Sequence, residues 1–180
     1  MIDMRNLILE KVRDAAGLLG LERDMVMTKS EKDNLTLPRP RIELDFLPET
    51  YNRTGRLLGA KAAGAENIIR KELYEVSLPI AAQVLAKEPD WLKEFCYRLV
   101  AALPRGFNDA AGNFIKLQAA QGAWEGFTLK RVGSQVIDPI VKRGYLLHLN
   151  ATWRITQDEL VRYVTSVSFN HTTKIAGGNP

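Results

Sequence analysis

The sequence predicts an α+β protein: a mixed, mainly antiparallel β-sheet with two α-helices packed on one face. Three observations carry that expectation. From Tyr74 the even positions Tyr74, Val76, Leu78, Ile80, Ala82 and Val84 are apolar, while Glu75, Ser77, Pro79, Ala81 and Gln83 between them are polar or small. A sustained period of two marks a strand with one buried face. Glu88-Pro89-Asp90 then breaks the extended chain, and Trp91, Leu92, Phe95, Leu99, Val100 and Leu103 return at helical spacing. Proline suits the first helical position, and an aspartate there meets the positive end of the helix dipole. Finally, two more alternating runs, 42–46 and 145–155, need a sheet to share.

Taken in order, residues 2–19 read as a helix. Met4, Ile8, Val12, Ala15 and Leu19 form one stripe, and Gly17 and Gly20 mark its end. Met25-Val26-Met27 suggests a short strand, and 29–34 a turn or loop. After Pro38-Arg39-Pro40, Ile42, Leu44 and Phe46 face one way and Arg41, Glu43 and Asp45 the other, until Pro48. The Gly- and Ala-rich stretch 54–65 reads as a flexible hairpin or arm. The central strand and helix follow, and Pro104 with Gly106 stops the helix. A turn is expected over 106–112, then a short strand at Ile115, Leu117 and Ala119. Trp124, Phe127 and Leu129 come next. Segment 135–141 holds Pro139, which argues for a bulge or edge strand, and Lys142-Arg143-Gly144 reads as a turn. Tyr145, Leu147, Leu149, Ala151, Trp153 and Ile155 give the cleanest alternation in the chain. Gln157-Asp158 suggests a turn, Val161 to Phe169 a further strand, and the remainder a loose tail. The domain expectation is one α+β domain over 1–156, with a C-terminal strand and tail over 157–180.

At 180 residues the chain can bury enough surface to fold without a disulfide or a metal. Its single cysteine, Cys96, falls beside the apolar helix face, where a small buried thiol is the ordinary reading. No apolar run reaches the ~18 residues that span a bilayer, and the first residues lead into a polar-faced helix rather than a signal peptide. A cytosolic site of synthesis is therefore expected. Net charge is +4. Over 39–71 seven basic residues (Arg39, Arg41, Arg53, Arg56, Lys61, Arg70, Lys71) stand against four acidic ones (Glu43, Asp45, Glu49, Glu66), a local excess of +3. With no interleaved aromatics for base stacking, a solvated mixed-charge surface accounts for them better than a nucleic-acid site.

The search for chemistry returns no catalytic, cofactor-binding or metal-ligating set. Gly59 and Gly64 have the spacing of a phosphate loop, but Ala65-Glu66 stands where Lys-Ser/Thr must follow. His148 lies on the polar face of a strand and His171 in the tail, and no Cys, His and Asp set has ligand spacing. Trp91, Trp124 and Trp153 read as packing residues. The residues thus give no positive sign of an enzyme. What they do give is excess β-edge under one helical cover, and open edges are usually satisfied by another chain.

The order of elements resembles the tail terminator proteins of long-tailed bacteriophages, also called tail completion or minor tail proteins. Tyr74-Glu75-Val76-Ser77-Leu78-Pro79-Ile80 is similar to their central strand, and Tyr145-Leu146-Leu147-His148-Leu149-Asn150-Ala151-Thr152-Trp153 to their closing strand. The likeness covers 1–156 and rests on pattern and order. Segment 160–169 and the tail depart from it. The resemblance implies a virion structural protein, assembled in the host cytoplasm and resident in the tail or neck. It implies a homo-oligomeric ring, commonly a hexamer, that caps the tail tube, stops tail polymerisation and offers a surface for head–tail joining. Its partners would be copies of itself, the tail-tube protein and a head-completion or neck protein. There would be no cofactor, no membrane, and DNA at most passing through the ring. The alternatives are another head–tail connector or neck protein, a small α+β nucleic-acid-binding module using 39–71, and an enzyme with dispersed catalytic residues.

Overall fold

The computed structural model describes residues 3–29, 40–63, 66–86, 88–125 and 143–161. The expectations for 30–34, 135–141, Phe127, Leu129, His171 and the strand after Val161 lie outside those residues. The elements are α1 (Met4–Gly17), β1 (Val26–Thr28), β2 (Arg41–Phe46), β3 (Thr50–Ala63), β4 (Glu66–Ala86), α2 (Pro89–Ala102), β5 (Gly106–Asn108), β6 (Phe114–Glu125) and β7 (Arg143–Val161). The strands form one sheet in the order β1-β2-β4-β7-β6-β5, with β3 paired to β4 off that path. β1 and β2 run parallel, and every other pair is antiparallel. The fold is therefore α+β with a mixed, mainly antiparallel sheet and two helices.

One face of the body carries the core. Leu78, Ile80, Ala82 and Val84 of β4 are buried, beside Ile42 and Leu44 of β2, Leu147, Leu149 and Ala151 of β7, and Ile115 and Leu117 of β6. The register explains the match: Ile42 stands opposite Val84, Leu44 opposite Ala82, and Leu149 opposite Ile80. Cross-strand partners share a face. Onto this face α1 presents Ile8, Leu9, Val12, Ala15 and Ala16, and α2 presents Leu92, Phe95, Cys96 and Leu99. Both sets recur at three- and four-residue spacing, as a helical stripe requires. Asp3 caps α1 by accepting from the Arg5 and Asn6 amides, a cap usually worth about 1 kcal/mol. The Arg13 Nε–H donates to the Val26 carbonyl at 3.0 Å and ties α1 to β1. In α2, Trp91 stacks on Phe95 with centroids 4.6 Å apart.

Several boundaries differ from the sequence expectation. β4 has 21 residues, about 70 Å of chain at ~3.3 Å per residue, and starts at Glu66 rather than near Leu73. The turn expected at Gln157-Asp158 is strand: β7 runs on to Val161, with Gln157 opposite Lys71 and Asp158 opposite Arg70. Long-range pairing overrides the local turn preference there. Arg143 and Gly144, expected in a turn, already pair with Ala86 and Leu85. The turn expected over 106–112 contains β5, and β6 is one strand of 12 residues. β6 passes Gly122 because Tyr145 lies over it; a Cβ there would stand 2.6 Å from the Tyr145 ring. Arg41, expected on a solvated face, is 1% exposed, and its Nε lies 2.6 Å from Glu43 Oε1. An arginine tolerates burial when a carboxylate meets it.

Leu78 is wholly buried in this core. Leu78→Ala should lower unfolding free energy by about 2–5 kcal/mol, measured by denaturant titration. Leu78→Asp or Val76→Asp should yield no folded soluble protein by circular dichroism and size exclusion.

Candidate assembly surface

The helices cover only part of the sheet. β2 pairs with β4 over 80–85, whereas β3 pairs with the same edge of β4 over 66–77, and β7 follows the other edge for the full length. Three strands therefore project beyond the body as an arm. The side chains of β3 over 50–62 are exposed except for half-buried Leu58, and those of 154–160 in β7 are exposed as well. Tyr51, Leu57 and Leu160 stand 56%, 60% and 57% exposed. The expected hairpin is thus present as β3 and β4, with Ala63 opposite Glu66. Gly59, the first glycine of the rejected phosphate loop, is a strand residue with only open space where a Cβ would sit.

A bulge separates arm from body. The β3–β4 ladder shifts between Arg53 and Arg56, and the β4–β7 ladder shifts between Glu72 and Tyr74. Leu73 is the extra residue of β4 against β7. Gly55 takes φ +61 at this level, a left-handed conformation that glycine adopts without strain. One extra residue inverts the side-chain alternation. That inversion is visible in the contacts: Arg154, opposite Glu75, brings its Nε to 3.2 Å from Glu72 Oε2. Glu72 is 3% exposed, and its Oε2 accepts no hydrogen bond. The Glu72 side chain is thus buried at the root of the arm, with Arg154 beside it.

Without an apolar face, the arm relies on its ladders and on cross-strand ion pairs. Arg70 forks onto Asp158 through Nε–Oδ1 at 2.7 Å and Nη2–Oδ2 at 2.8 Å, and Lys71 pairs with Glu159. The hydrogen bond from Arg70 holds the Asp158 carboxyl below its ordinary value and raises the guanidinium in turn. These pairs thin the basic stretch that the sequence displayed. Arg41, Arg70 and Lys71 have acidic partners. Arg53, Arg56 and Lys61, all on exposed β3, have no ion partner among the described residues.

The residues weighed for chemistry are scattered. Burial pushes the Cys96 thiol up to about 12, so it stays protonated at neutral pH and is a poor nucleophile. It lines a groove of about 260 Å³ with Tyr97, Val100, Gly122 and Tyr145, between α2 and the β6–β7 pair. His148 is half-buried on β7, opposite Ala81 and Gln121. Trp91 and Trp153 pack on the core, while Trp124 is 50% exposed and meets Tyr145 edge-on. Among the described residues no group of three His, Cys, Asp or Glu could hold a metal, and no helix is long and apolar enough to cross a membrane. The feature that sequence reasoning missed is the full extent of the arm. Its signal was the pairing of two dipeptides of opposite charge, Arg70-Lys71 and Asp158-Glu159.

Because the folded Asp158 is depressed, its stabilisation is present above the ordinary carboxylate range and is lost as pH falls through the lowered value. Hydrogen exchange of the 157–161 amides should accelerate on acidification, in high salt and in Arg70→Ala, while the 78–84 amides stay protected.

No protein-family profile matches this sequence, and no curated protein aligns with it significantly, so a functional reading rests on the chain's own residues.

Proposed function

We infer that the protein is a structural component of a long-tailed phage or prophage virion. It terminates the tail by closing into a ring on the tail tube, and its exposed surfaces serve the tube on one side and the head-completion or neck protein on the other. The observation that carries this reading is the arm. A three-stranded ribbon with both faces exposed is costly in an isolated chain, because its backbone is ordered without an apolar core to offset the entropy. Such a ribbon is sensible when another chain completes it. The order of elements, similar to that of tail terminators, supports this kind of assembly. The protein acts as a scaffold in this reading and needs no cofactor or reaction. The nucleic-acid alternative loses support, since Arg41, Arg70 and Lys71 are neutralised within the fold, which among the described residues of the stretch leaves Arg53, Arg56 and Lys61 as exposed candidates for phosphate contacts.

Deleting the gene from its phage should give tails of uncontrolled length that fail to join heads, seen by electron microscopy. Tails of normal length joined to heads in the deletion would overturn this function.

A further inference from the structure

The arm has two outer edges among the described residues, one on β3 and one on the distal end of β7, and they differ in charge. β3 carries Arg53, Arg56 and Lys61 and no acidic residue. The end of β7 from Thr156 carries no basic residue, and its Asp158 and Glu159 are each met on the inner side by Arg70 or Lys71 of β4, so this edge has no uncompensated positive charge. We propose that these two edges pair with each other between copies, so that β3 of one copy adds to the distal β7 of the next. The inference rests on the ring reading and specifies the joint that closes it.

The geometry supports the match in three ways. Both β3 and β7 run antiparallel to β4, so they are parallel to each other. A head-to-tail contact that continues the sheet keeps that direction, and a heterologous contact of this kind closes into a ring when its rotation permits. The shared partners on β4 also fix which residues lie level. Arg56 and Thr156 both stand beside Glu72, Gly59 and Asp158 beside Arg70, Ala60 and Glu159 beside Ile69, and Lys61 and Leu160 beside Ile68. In a ring without rise along the strand, the two acids of one copy meet Gly59 and Ala60 of the next. Those are the small positions of β3, and a cation brackets them on either side. Space at Gly59 is open. Finally, pairing β3 with β3 would set like charges together, which is unfavourable across a ladder. The cations thus act as edge protection in the free chain and as selectors of the acidic edge in the assembly.

The test uses two full-length variants, Ala62→Cys and Val161→Cys. Positions 62 and 161 flank Asn67 from opposite sides. Within one chain they are two strand spacings apart, about 9.5 Å, beyond the ~7 Å that a disulfide can bridge. Cys96 is buried and stays out of the reaction. Mixing the two variants under mild oxidation at high concentration should give a covalent heterodimer as the main product, and adding Arg56→Glu with Lys61→Glu to the first variant should lower its yield several-fold. A main product joining two Ala62→Cys chains would overturn the proposal, as would no covalent product or a yield indifferent to the charge reversal. Native mass spectrometry of the unmodified protein separates the two failures. A ring without the cross-link keeps the ring reading and moves its joint elsewhere; a monomer at every concentration overturns this joint, and the ring reading is then decided by the tails of the gene deletion.

Discussion

The structure depends on the unequal treatment of one strand. β4 is paired along both edges over nearly its whole length, yet helices cover only its C-terminal half. Where α1 and α2 lie over it, the even positions from Leu78 to Val84 are sealed, and the sheet has a core. Beyond the bulge at Leu73 the same strand continues as the middle of a ribbon that nothing in the described chain covers. Backbone hydrogen bonds are equally available in both halves. What differs is apolar burial, and burial is the term that outweighs chain entropy.

That difference divides the roles of the side chains. In the body, substitution is limited by volume and by the match between cross-strand neighbours and the helical stripes. In the arm, it is limited by charge. Arg70, Lys71, Asp158 and Glu159 satisfy one another across the β4–β7 ladder, while the cations of β3 are left exposed on an edge. Exposed pairs of this kind are screened by salt and loosen in acid, so the arm is the part of the protein most responsive to its surroundings. Glu72 marks the boundary: a buried carboxylate, with an ion partner but an unsatisfied oxygen, at the level where both ladders slip. Such a group costs stability, which agrees with a root that is shaped for position rather than for firmness.

A ribbon with two edges of unlike charge, one cationic and one already compensated, has an inherent direction. In the proposed joint, copies meeting edge to edge would continue the sheet in one sense only, which would make selective a surface otherwise open to indiscriminate aggregation. The residues that drew notice first are occupied with the fold: Cys96 is protonated in the core, Trp91 and Trp153 pack on it, and Arg70 and Lys71 hold β4 to β7.

The sequence by itself determined the class of fold, the buried face of β4 and the stripe of α2, because period-two and helical spacing are local records of burial. Tyr74 to Val84 and Tyr145 to Ile155 were legible for that reason. It did not determine where the long strands stop. Gln157-Asp158 has turn-like chemistry, and Lys71-Glu72 interrupts the alternation, so both read as ends; tertiary pairing with residues some 88 positions away made them strand. Arg41 likewise followed the polar phase of its strand, and only the surrounding structure decided that it would be buried against Glu43. The arm itself was visible as a Gly- and Ala-rich stretch, but its third strand and its charged edges were not. Cross-strand partners are set by contacts distant in sequence, and a one-residue bulge erases the periodicity that would have announced them.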